Sequence, residues 1–320
     1  MIAQGALAQE FERLVGTYIG VPYAAVASSG TAALLLALKA LQIGPGKEVV
    51  FPTYVCKSVL DAVLSAGATP VLCDVDEDWL ISDASAARRI SAKTAAIIVP
   101  YVFGISKDIG PLRDLRVPII EDCCQSFGAM APQGRTGTLG VVSFFSFHAT
   151  KCLATGEGGM CCSRDADLIG RIVEIRDGQG RRADRLPVGF SDLQAALGVS
   201  QLKRYDAFVA RRRAIAQSYF SEIGPGCFTT PEHVRDRSIH FRFPLRTNRD
   251  VTALIRDFAG DAIAVRRGVD DLLHRRLGLE DADFRVAARL FETTISIPIY
   301  PALSEPDRER IVSRIRQVPS

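Results

Sequence analysis

The sequence predicts an α/β fold, with a mostly parallel central sheet covered by helices, followed by a smaller α+β unit. Up to about residue 165, short apolar runs rich in β-branched residues alternate with helical patterns, which is typical of a parallel sheet buried on both faces. A chain of 320 residues is long enough for one large and one smaller domain. We expect a large cofactor-binding domain over residues 1–210, beginning with a helix, and a small C-terminal domain over residues 211–320.

The predicted strands of the large domain are short and apolar, and they cover residues 24–27, 48–51, 70–76, 95–100, 117–122, 141–147 and 158–163. Helical patterns follow the first two of these strands. In the C-terminal part, helical patterns cover residues 191–222 and 250–260, and strand patterns cover residues 239–246, 262–268 and 293–300. A last helix begins after Ser304, which is placed to cap it together with Asp307.

Composition and charge argue against several classes of protein. The net charge of +3 is too small to indicate a nucleic acid or an anionic membrane as partner. No apolar run reaches the ~18 residues of a membrane span, and the acidic N-terminal segment does not fit a signal peptide. Eight cysteines include no CxxC pair, so neither a zinc site nor a disulfide framework is indicated. We expect a cytoplasmic protein with reduced thiols and no bound metal.

The residues that follow the predicted strands carry the candidate chemistry, because ligands of α/β sheets bind at the carboxyl ends of the strands. After the first strand, a helix is opened by Ser28, Ser29, Gly30 and Thr31. Free N–H groups at a helix start bind anions, although the same residues also suit an ordinary helix cap. No GxGxxG or GxxxxGK[ST] motif is present, so a dinucleotide or Walker-type phosphate loop is not indicated.

Two further strand ends place polar side chains that can react. The strand over 117–122 ends at Asp122, with Gln125 close behind, and a carboxylate there suits a metal ion, a general base or a cationic ring nitrogen. The strand over 141–147 is followed by Lys151. Burial would disfavour the charged form of this lysine and supply the neutral amine that a Schiff base needs. The alternative is a lysine whose tip reaches solvent.

An anion site, a strand-end carboxylate and an amine together match pyridoxal 5'-phosphate (PLP). This cofactor has one phosphate, one pyridine nitrogen and one aldehyde, and each of these groups has a candidate partner. The carboxylate would keep the ring nitrogen protonated, so that the ring accepts electrons. The order of these residues along the chain therefore favours a PLP enzyme.

Five motifs resemble the DegT/DnrJ/EryC1/StrS family of sugar aminotransferases: SSGTAALLLAL, GATPVLCDVD, IIEDCCQSFGA, FSFHATKCLATGEGGM and SDLQAALGVSQL. The resemblance runs from about residue 10 to the last helix. It implies the fold type I PLP-dependent aminotransferase architecture and a homodimer with active sites at the subunit interface. It also implies transfer of an amino group from glutamate or glutamine to a keto sugar, usually nucleotide-linked, or to a cyclitol, with ping-pong kinetics.

By position in these motifs, Lys151 resembles the lysine that holds PLP as an internal aldimine and then moves protons, with pyridoxamine phosphate (PMP) as the intermediate cofactor form. Asp122 resembles the partner of the ring nitrogen, and Gln125 the glutamine near the cofactor hydroxyl. The implied phosphate contacts are Ser29, Gly30, Thr31, Ala32 and Ser146. His274 resembles a family histidine close to the substrate, with a helix-surface histidine as the alternative. Strand alternation turns His148 away from Ser146, which predicts packing or hydrogen bonding rather than catalysis.

Two departures from the family pattern are visible. Where the family often stacks an aromatic ring on the cofactor, the sequence has Cys56, with Tyr54 two residues earlier. Either Tyr54 reaches the ring or a thiol replaces the aromatic face. The asparagine that reaches the phosphate of the other subunit is missing from residues 187–190. Arg181 or Arg182 from a second copy is a candidate replacement, and solvated loop arginines are the alternative.

Two other functions are weighed against the aminotransferase. A PMP-dependent sugar dehydratase of the same family would carry a histidine at the lysine position, so Lys151 argues against it. A non-catalytic PLP-binding regulator or partner subunit is compatible with the missing asparagine and with loops shorter than the family's. The presence of Lys151, Asp122 and Gln125 argues against that alternative.

Overall fold

The computed structural model describes residues 4–178, 185–223 and 226–319. Its strands are β1 (Tyr23–Ala27), β2 (Glu48–Pro52), β3 (Thr69–Cys73), β4 (Thr94–Pro100), β5 (Ile119–Asp122), β6 (Met130–Ala131), β7 (Gly134–Arg135), β8 (Val142–Ser146), β9 (Gly159–Ser163), β10 (Phe228–Thr229), β11 (Phe243–Thr247), β12 (Arg266–Arg267) and β13 (Thr294–Ile297). Its helices are α1 (Ala6–Ile19), α2 (Gly30–Ala40), α3 (Lys57–Ser65), α4 (Asp83–Arg88), α5 (Gly110–Arg113), α6 (Ala166–Asp177), α7 (Asp192–Leu202), α8 (Tyr205–Glu222), α9 (Val234–Arg237), α10 (Val251–Gly260), α11 (Leu273–Arg276), α12 (Arg285–Thr293) and α13 (Glu305–Arg316).

The large sheet has the strand order β1-β9-β8-β5-β4-β2-β3. The strands from β3 to β8 in this order pair in parallel, whereas β9 pairs antiparallel with both β8 and β1. β1 therefore runs in the same direction as the parallel strands. As a result, the carboxyl ends of β1, β4, β5 and β8 all lie at one edge of the sheet. The expected α/β architecture with a mostly parallel sheet is confirmed.

Both faces of the large sheet are buried, as its continuous apolar strands predict. Val49 and Phe51 of β2 pack in one core with residues of α2, α3 and α6, whereas Val50 packs in the other core with residues of α1. Phe144 and Phe145 of β8 are divided between the two cores in the same way. Successive side chains of a strand point to opposite faces, so each of these strands packs against both cores. This packing on both sides holds the ends of the strands in fixed positions.

A second sheet and a third core form most of the C-terminal part. Strands β10, β11, β13 and β12 pair antiparallel in that order, and their core contains Phe243 and Ile295. Helix α8 joins the two parts, since Tyr205 packs in a core of the large sheet and Tyr219 in the third core. This change of core supports a domain division between residues 210 and 211, which we retain as a proposal.

The C-terminal half differs from its expected elements. The strand expected over 239–246 begins only at Phe243, because the Ile239 N–H donates to Gly104 O at 3.1 Å instead of joining the small sheet. The strand expected over 262–268 is reduced to β12. The segment after β12 then returns to the large domain, where it contributes to one of that domain's cores with the side chains of Val269, Leu272, Leu273, Phe284, Ala287 and Leu290.

Helix caps explain one predicted element and one unpredicted element. Helix α13 begins as expected, since Ser304 Oγ accepts the Asp307 N–H at 3.2 Å. Helix α6 is not predicted by the sequence patterns, and it begins where Asp165 Oδ1 accepts the N–H groups of Asp167 and Leu168.

Within the described ranges, none of the helices is both long enough and apolar enough to cross a membrane.

Candidate active site

A cavity of about 410 Å³ lies where the carboxyl ends of β1, β2, β4, β5 and β8 meet. Its walls come from the loops and helix starts that follow these strands, which is the usual binding place in an α/β sheet. The predicted site residues that line it are Ser29, Gly30, Thr31, Cys56, Asp122, Gln125, Ser146 and Lys151. The structure therefore brings together residues that the sequence spreads over four strand ends and one helix start.

The turn after β1 is a closely packed helix start. Ser29 Oγ accepts the Ala32 N–H at 3.1 Å and caps α2, so the ordinary cap and the candidate anion site use the same residues. Gly30 has no room for a side chain, because a Cβ there would lie 2.8 Å from Ser146 Cβ. A Cβ on Gly159, at the start of β9, would overlap Ser29 O. The N–H groups of the first turn of α2 and the Ser146 hydroxyl thus lie close together, an arrangement that fits a phosphate.

Asp122 ends β5 and is 7% exposed. Its Oδ1 accepts the Cys124 N–H at 3.0 Å. Burial raises the pKa of the Asp122 carboxyl, and the Cys124 N–H and the charge of Lys151 act against that rise. A buried carboxylate is stabilised by a cationic partner, so Asp122 suits a protonated ring nitrogen.

The side-chain amide of Gln125 is oriented by a backbone contact. The Phe103 N–H donates to Gln125 Oε1 at 2.7 Å, and a donor N–H requires the carbonyl oxygen at that position. The amide NH2 group is thereby left for the cavity that Gln125 lines. Phe103 adopts a left-handed backbone conformation with φ of 61°, which is uncommon for a bulky residue and often marks a functional site.

Lys151 follows β8 in a tight turn, where its N–H donates to His148 O at 2.8 Å. Its side chain lines the cavity with Asp122 but is half-buried in the single chain rather than fully buried. The Lys151 Nζ lies 5.2 Å from the centroid of the Phe241 ring, within the range of a cation–π contact. The sequence patterns gave no signal for Phe241.

His148 also lines the cavity, so the prediction that alternation turns it away is wrong. Strand β8 ends at Ser146, and alternation no longer applies beyond that residue. His148 Nδ1 lies 2.9 Å from Thr150 Oγ1, and Nε2 lies 3.5 Å from a carboxylate oxygen of Glu157. The expected hydrogen-bonded role therefore fits, although the side chain stands at the cavity wall.

The two candidates for the ring-stacking position differ in their placement. Cys56 lines the cavity, whereas Tyr54 does not. Cys56 is exposed, whereas Tyr54 is fully buried. Tyr54 points toward Gly268, where an added Cβ would overlap the Tyr54 hydroxyl. Burial raises the pKa of this phenol. The geometry thus favours the thiol over the tyrosine at this wall.

His274 is fully buried and is not among the cavity-lining residues. Its Nδ1 lies 2.8 Å from Thr53 Oγ1 and its Nε2 lies 2.8 Å from Asp281 Oδ1, while its ring stacks on Phe284. The alternative of a helix-surface histidine is therefore wrong, and a substrate contact would require a rearrangement. Arg181 and Arg182 lie outside the described residues.

The segment that lacks the family asparagine has a structural role of its own. Val188 O accepts the Ser28 N–H at 2.8 Å, next to the candidate phosphate turn. Phe190 stacks on Phe11 at 6.0 Å between ring centroids. Backbone and apolar contacts here therefore hold the turn without an amide side chain.

Comparison with known proteins decides the family. Residues 1–316 match the model of the DegT/DnrJ/EryC1/StrS aminotransferase family. The chain belongs to this family. It is a PLP-dependent aminotransferase with the fold type I architecture.

Two curated relatives and one solved structure illustrate the match. The chain is 30% identical to spore coat polysaccharide biosynthesis protein SpsC of Bacillus subtilis (strain 168), over 99% of this chain and 90% of SpsC. It is 31% identical to GDP-perosamine synthase of Caulobacter vibrioides, over 98% of this chain and 90% of that enzyme. The fold matches that of Spr1654, a candidate sugar aminotransferase of Streptococcus pneumoniae solved in a PMP form, with a TM-score of 0.93, 23% identity, and coverage of 99% and 91%.

The donor set of the cavity fits PLP group by group. Asp122 supplies the buried carboxylate, Lys151 the primary amine, and Gln125 an amide NH2. The capped start of α2 and the Ser146 hydroxyl supply the anion site. These assignments remain proposals for the individual residues of this aminotransferase, although the cofactor itself follows from the family.

Some lining residues carried no sequence signal. Glu157 lies in the glycine-rich segment after Lys151. Its closeness to Lys151 in sequence could have indicated that it lines the cavity, whereas the glycine content of the segment could not. Asp270 reaches the cavity from beyond β12. Nothing in the local pattern around Asp270 distinguishes it from a solvated acid, because only the return of the chain to the large domain brings it there.

Proposed function

We propose that this aminotransferase moves an amino group from glutamate or glutamine to a keto sugar, nucleotide-linked rather than free, with a keto cyclitol as the second acceptor class. One observation carries the proposal: Lys151 and the buried Asp122 line a single cavity beside the α2 anion site. The relative named GDP-perosamine synthase supports the nucleotide-linked acceptor. SpsC, a spore coat polysaccharide biosynthesis protein by name, supports sugar chemistry more generally.

The residues divide the work by position. PLP, when bound, supplies an aldehyde that takes up the donor's amino group and a ring that withdraws electrons from it. The Lys151 amine holds and moves the proton taken from the donor carbon. Asp122 would keep a proton on the ring nitrogen, and the Gln125 NH2 group would be the donor for the cofactor hydroxyl. We expect ping-pong kinetics, because the bound cofactor would keep the amino group while the oxo acid leaves and the acceptor enters the same cavity.

We further propose that the enzyme works as a homodimer. Leu193 is 73% exposed and Leu197 is 42% exposed on α7, one helical turn apart. Exposed leucines so spaced form an apolar strip that a second copy would cover. The placement of Arg181 or Arg182 near the phosphate of the other subunit belongs to the same proposal.

The eight cysteines, none of them in a disulfide, support a reducing compartment such as the cytoplasm.

The donor half of the reaction tests this function without knowledge of the acceptor. PLP-loaded enzyme is mixed with L-glutamate or L-glutamine, and the visible band and the release of the 2-oxo acid are followed, with D-glutamate as the control. We expect loss of the visible band and one oxo acid per site with the L-donor alone. Bound cofactor that reacts with no amino donor would contradict the proposal and favour the regulatory alternative.

The acceptor is tested in the second half-reaction. The PMP-loaded enzyme is mixed with a keto sugar linked to a nucleoside diphosphate, with the corresponding free keto sugar and with a keto cyclitol. We expect return of the visible band at the lowest concentration with the nucleotide-linked compound. Equal or better use of the cyclitol would overturn that part of the proposal and leave the aminotransferase assignment intact.

A further inference from the structure

We propose that Phe241 is a positioning residue for the Lys151 amine, an inference that rests on the proposed role of Lys151. The Phe241 ring centroid lies 5.2 Å from Lys151 Nζ. Phe241 is half-buried and comes from the bend just before β11, so it belongs to the small-domain half of the chain. The face of an aromatic ring attracts an ammonium group, which gives the amine a preferred position beside the cavity.

The backbone at Phe241 is fixed from behind by a buried arginine. Arg212 is 6% exposed. Its Nη1 donates to the carbonyl oxygens of His240 (3.1 Å), Phe241 (3.3 Å) and Ile299 (2.8 Å). Hydrogen bonds from a charged donor in a buried setting are among the stronger ones in proteins. The ring that faces Lys151 is thus presented by a fixed segment rather than by a free loop.

The same segment is tied to the cofactor side of the cavity through residues 103–104. The Ser238 Oγ donates to Phe103 O at 3.2 Å, and the Phe103 N–H donates to Gln125 Oε1 at 2.7 Å. Gly104 has φ of 81°, and a Cβ on it would lie 2.9 Å from Gln125 O and 3.2 Å from Phe241 N. The backbones of Gln125 and Phe241 therefore both pack against the position where any other residue would carry its side chain, so their relative positions are set together.

This arrangement has a consequence for the proton-transfer step. With PLP bound, the donor's amino group would displace the Lys151 amine, which would then have to stay beside the donor carbon. The amine becomes an ammonium group as it takes up the donor proton, and the Phe241 face would stabilise that charged form. A lysine side chain has four rotatable bonds, so its amine can easily move away from the donor carbon. A cation–π contact at a partly exposed site would raise the population of the amine at its position beside the ring by roughly 2- to 5-fold. Phe241 should therefore affect the rate of proton transfer more than the binding of cofactor or donor.

The test compares Phe241→Leu and Phe241→Met with Phe241→Tyr, which keeps the ring. Phe208→Leu is the matched control, since Phe208 is also half-buried against a cation, but its ring faces Arg204 instead of Lys151. In rapid mixing of PLP-loaded enzyme with L-glutamate, we expect the Leu and Met variants to lose about 5-fold in maximal rate, the scale of the lost contact. The concentration of donor at half-maximal rate should change less than about 2-fold, and the Tyr variant and the control should behave as wild type.

A second readout does not depend on catalysis. The lysines of the cofactor-free enzyme are ¹³C-methylated, and the Lys151 signal is assigned by its loss in Lys151→Arg. We expect this signal to carry a ring-current shift that disappears in Phe241→Leu and survives in Phe241→Tyr. An unchanged signal in Phe241→Leu, or equal rate losses in the Tyr and Leu variants, would overturn the inference. A wild-type enzyme whose ring-current shift is present but whose Lys151 takes up no PLP would overturn the proposed function instead.

Discussion

At the scale of single residues, the two consecutive carboxylates Glu121 and Asp122 show how strand alternation separates structure from chemistry. Asp122 faces the cavity, while Glu121 points to the opposite side of β5. Glu121 is fully buried and accepts hydrogen bonds from the N–H groups of Gly137, Leu139 and Gly140 and from the Tyr101 hydroxyl. One carboxylate holds a loop in place and its neighbour is free to bind a ligand.

Asp122→Asn should retain PLP but lose most of its transamination rate. An amide cannot keep the ring nitrogen protonated, and loss of one preorganised electrostatic partner costs on the order of 100-fold in rate. The first half-reaction with L-glutamate measures the effect, and Asp114→Asn, at an exposed position, is the control. A variant that reacts at the wild-type rate would show that Asp122 does not act on the ring.

Glu121→Ala should destabilise the fold without a direct effect on the chemistry. Its four hydrogen-bond donors would be left buried without an acceptor, which predicts a loss of roughly 3 kcal/mol or more in the free energy of unfolding. Urea denaturation measures the loss, and Glu121→Gln, which keeps one acceptor, should lose less. Equal stability of Glu121→Ala and wild type would contradict this account of the loop.

Gly30→Ala should weaken cofactor binding. The new Cβ would lie 2.8 Å from Ser146 Cβ, so either the α2 start or Ser146 must move and open the anion site. We expect the dissociation constant for PLP to rise by about 10-fold, the equivalent of one disturbed hydrogen-bonded anion contact. Gly170→Ala, on α6 with open space around it, is the control. Unchanged PLP affinity in Gly30→Ala would place the phosphate elsewhere.

At the scale of elements, the positions of the strand ends could be predicted from the sequence, whereas the side chains that a loop turns toward the cavity could not. Apolar runs located β1, β5 and β8, and the rule that ligands bind at carboxyl strand ends then placed Asp122 and Lys151 together. The sequence does not reveal which side chains a loop turns toward the cavity. Tyr54 and His274, for each of which a ligand contact is one of two alternatives, are both fully buried. Phe241 carried no signal because a bend before β11 delivers it from the other half of the chain.

The capping box of α7 gives a prediction at this scale. Ser191 Oγ accepts the Gln194 N–H at 3.3 Å, and Gln194 Oε1 accepts the Ser191 N–H at 2.9 Å. Ser191→Ala removes the first bond and should lower the free energy of unfolding by about 1 kcal/mol, whereas Ser191→Gly should cost only a few tenths. Thermal denaturation of both variants measures the difference. A larger loss in the glycine variant would contradict the capping role.

At the scale of the whole molecule, a buried histidine at the joint of the two halves predicts a pH dependence of stability. Burial, together with the charges of Arg213 and Arg212, lowers the pKa of His240 to about 4. The unfolded ring has a pKa of about 6.5, so it takes up a proton between these values while the folded ring does not. Stability is therefore complete above about pH 6.5 and falls as the pH decreases toward 4.

The size of this effect follows from the difference between the two pKa values and is roughly 3 kcal/mol at its limit. His240→Asn is the informative variant, because asparagine tolerates the positive φ of 54° at this position and does not titrate. Urea denaturation at pH 7 and pH 5 should show a larger loss for wild type than for the variant. Parallel losses in both proteins would show that other groups control the acid sensitivity.

The architecture as a whole was predicted well because its signals are local and repeated. Alternation of apolar strands and helical patterns indicated the large sheet, and the family motifs indicated the fold type I architecture, which the comparisons confirm. The return of the segment over 269–290 to the large domain was not predicted. Its contacts are long-range, and no pattern within the segment itself indicates which core it joins.

The measurement that tests the central claim most directly is borohydride reduction of the purified protein after addition of PLP, followed by mass mapping of the modified peptide. We expect a yellow protein that is bleached by borohydride and carries the reduced cofactor on Lys151, with no adduct and no transamination in Lys151→Ala despite a native fold. A colourless protein without an adduct, an adduct on another lysine, or full activity of Lys151→Ala would contradict the account.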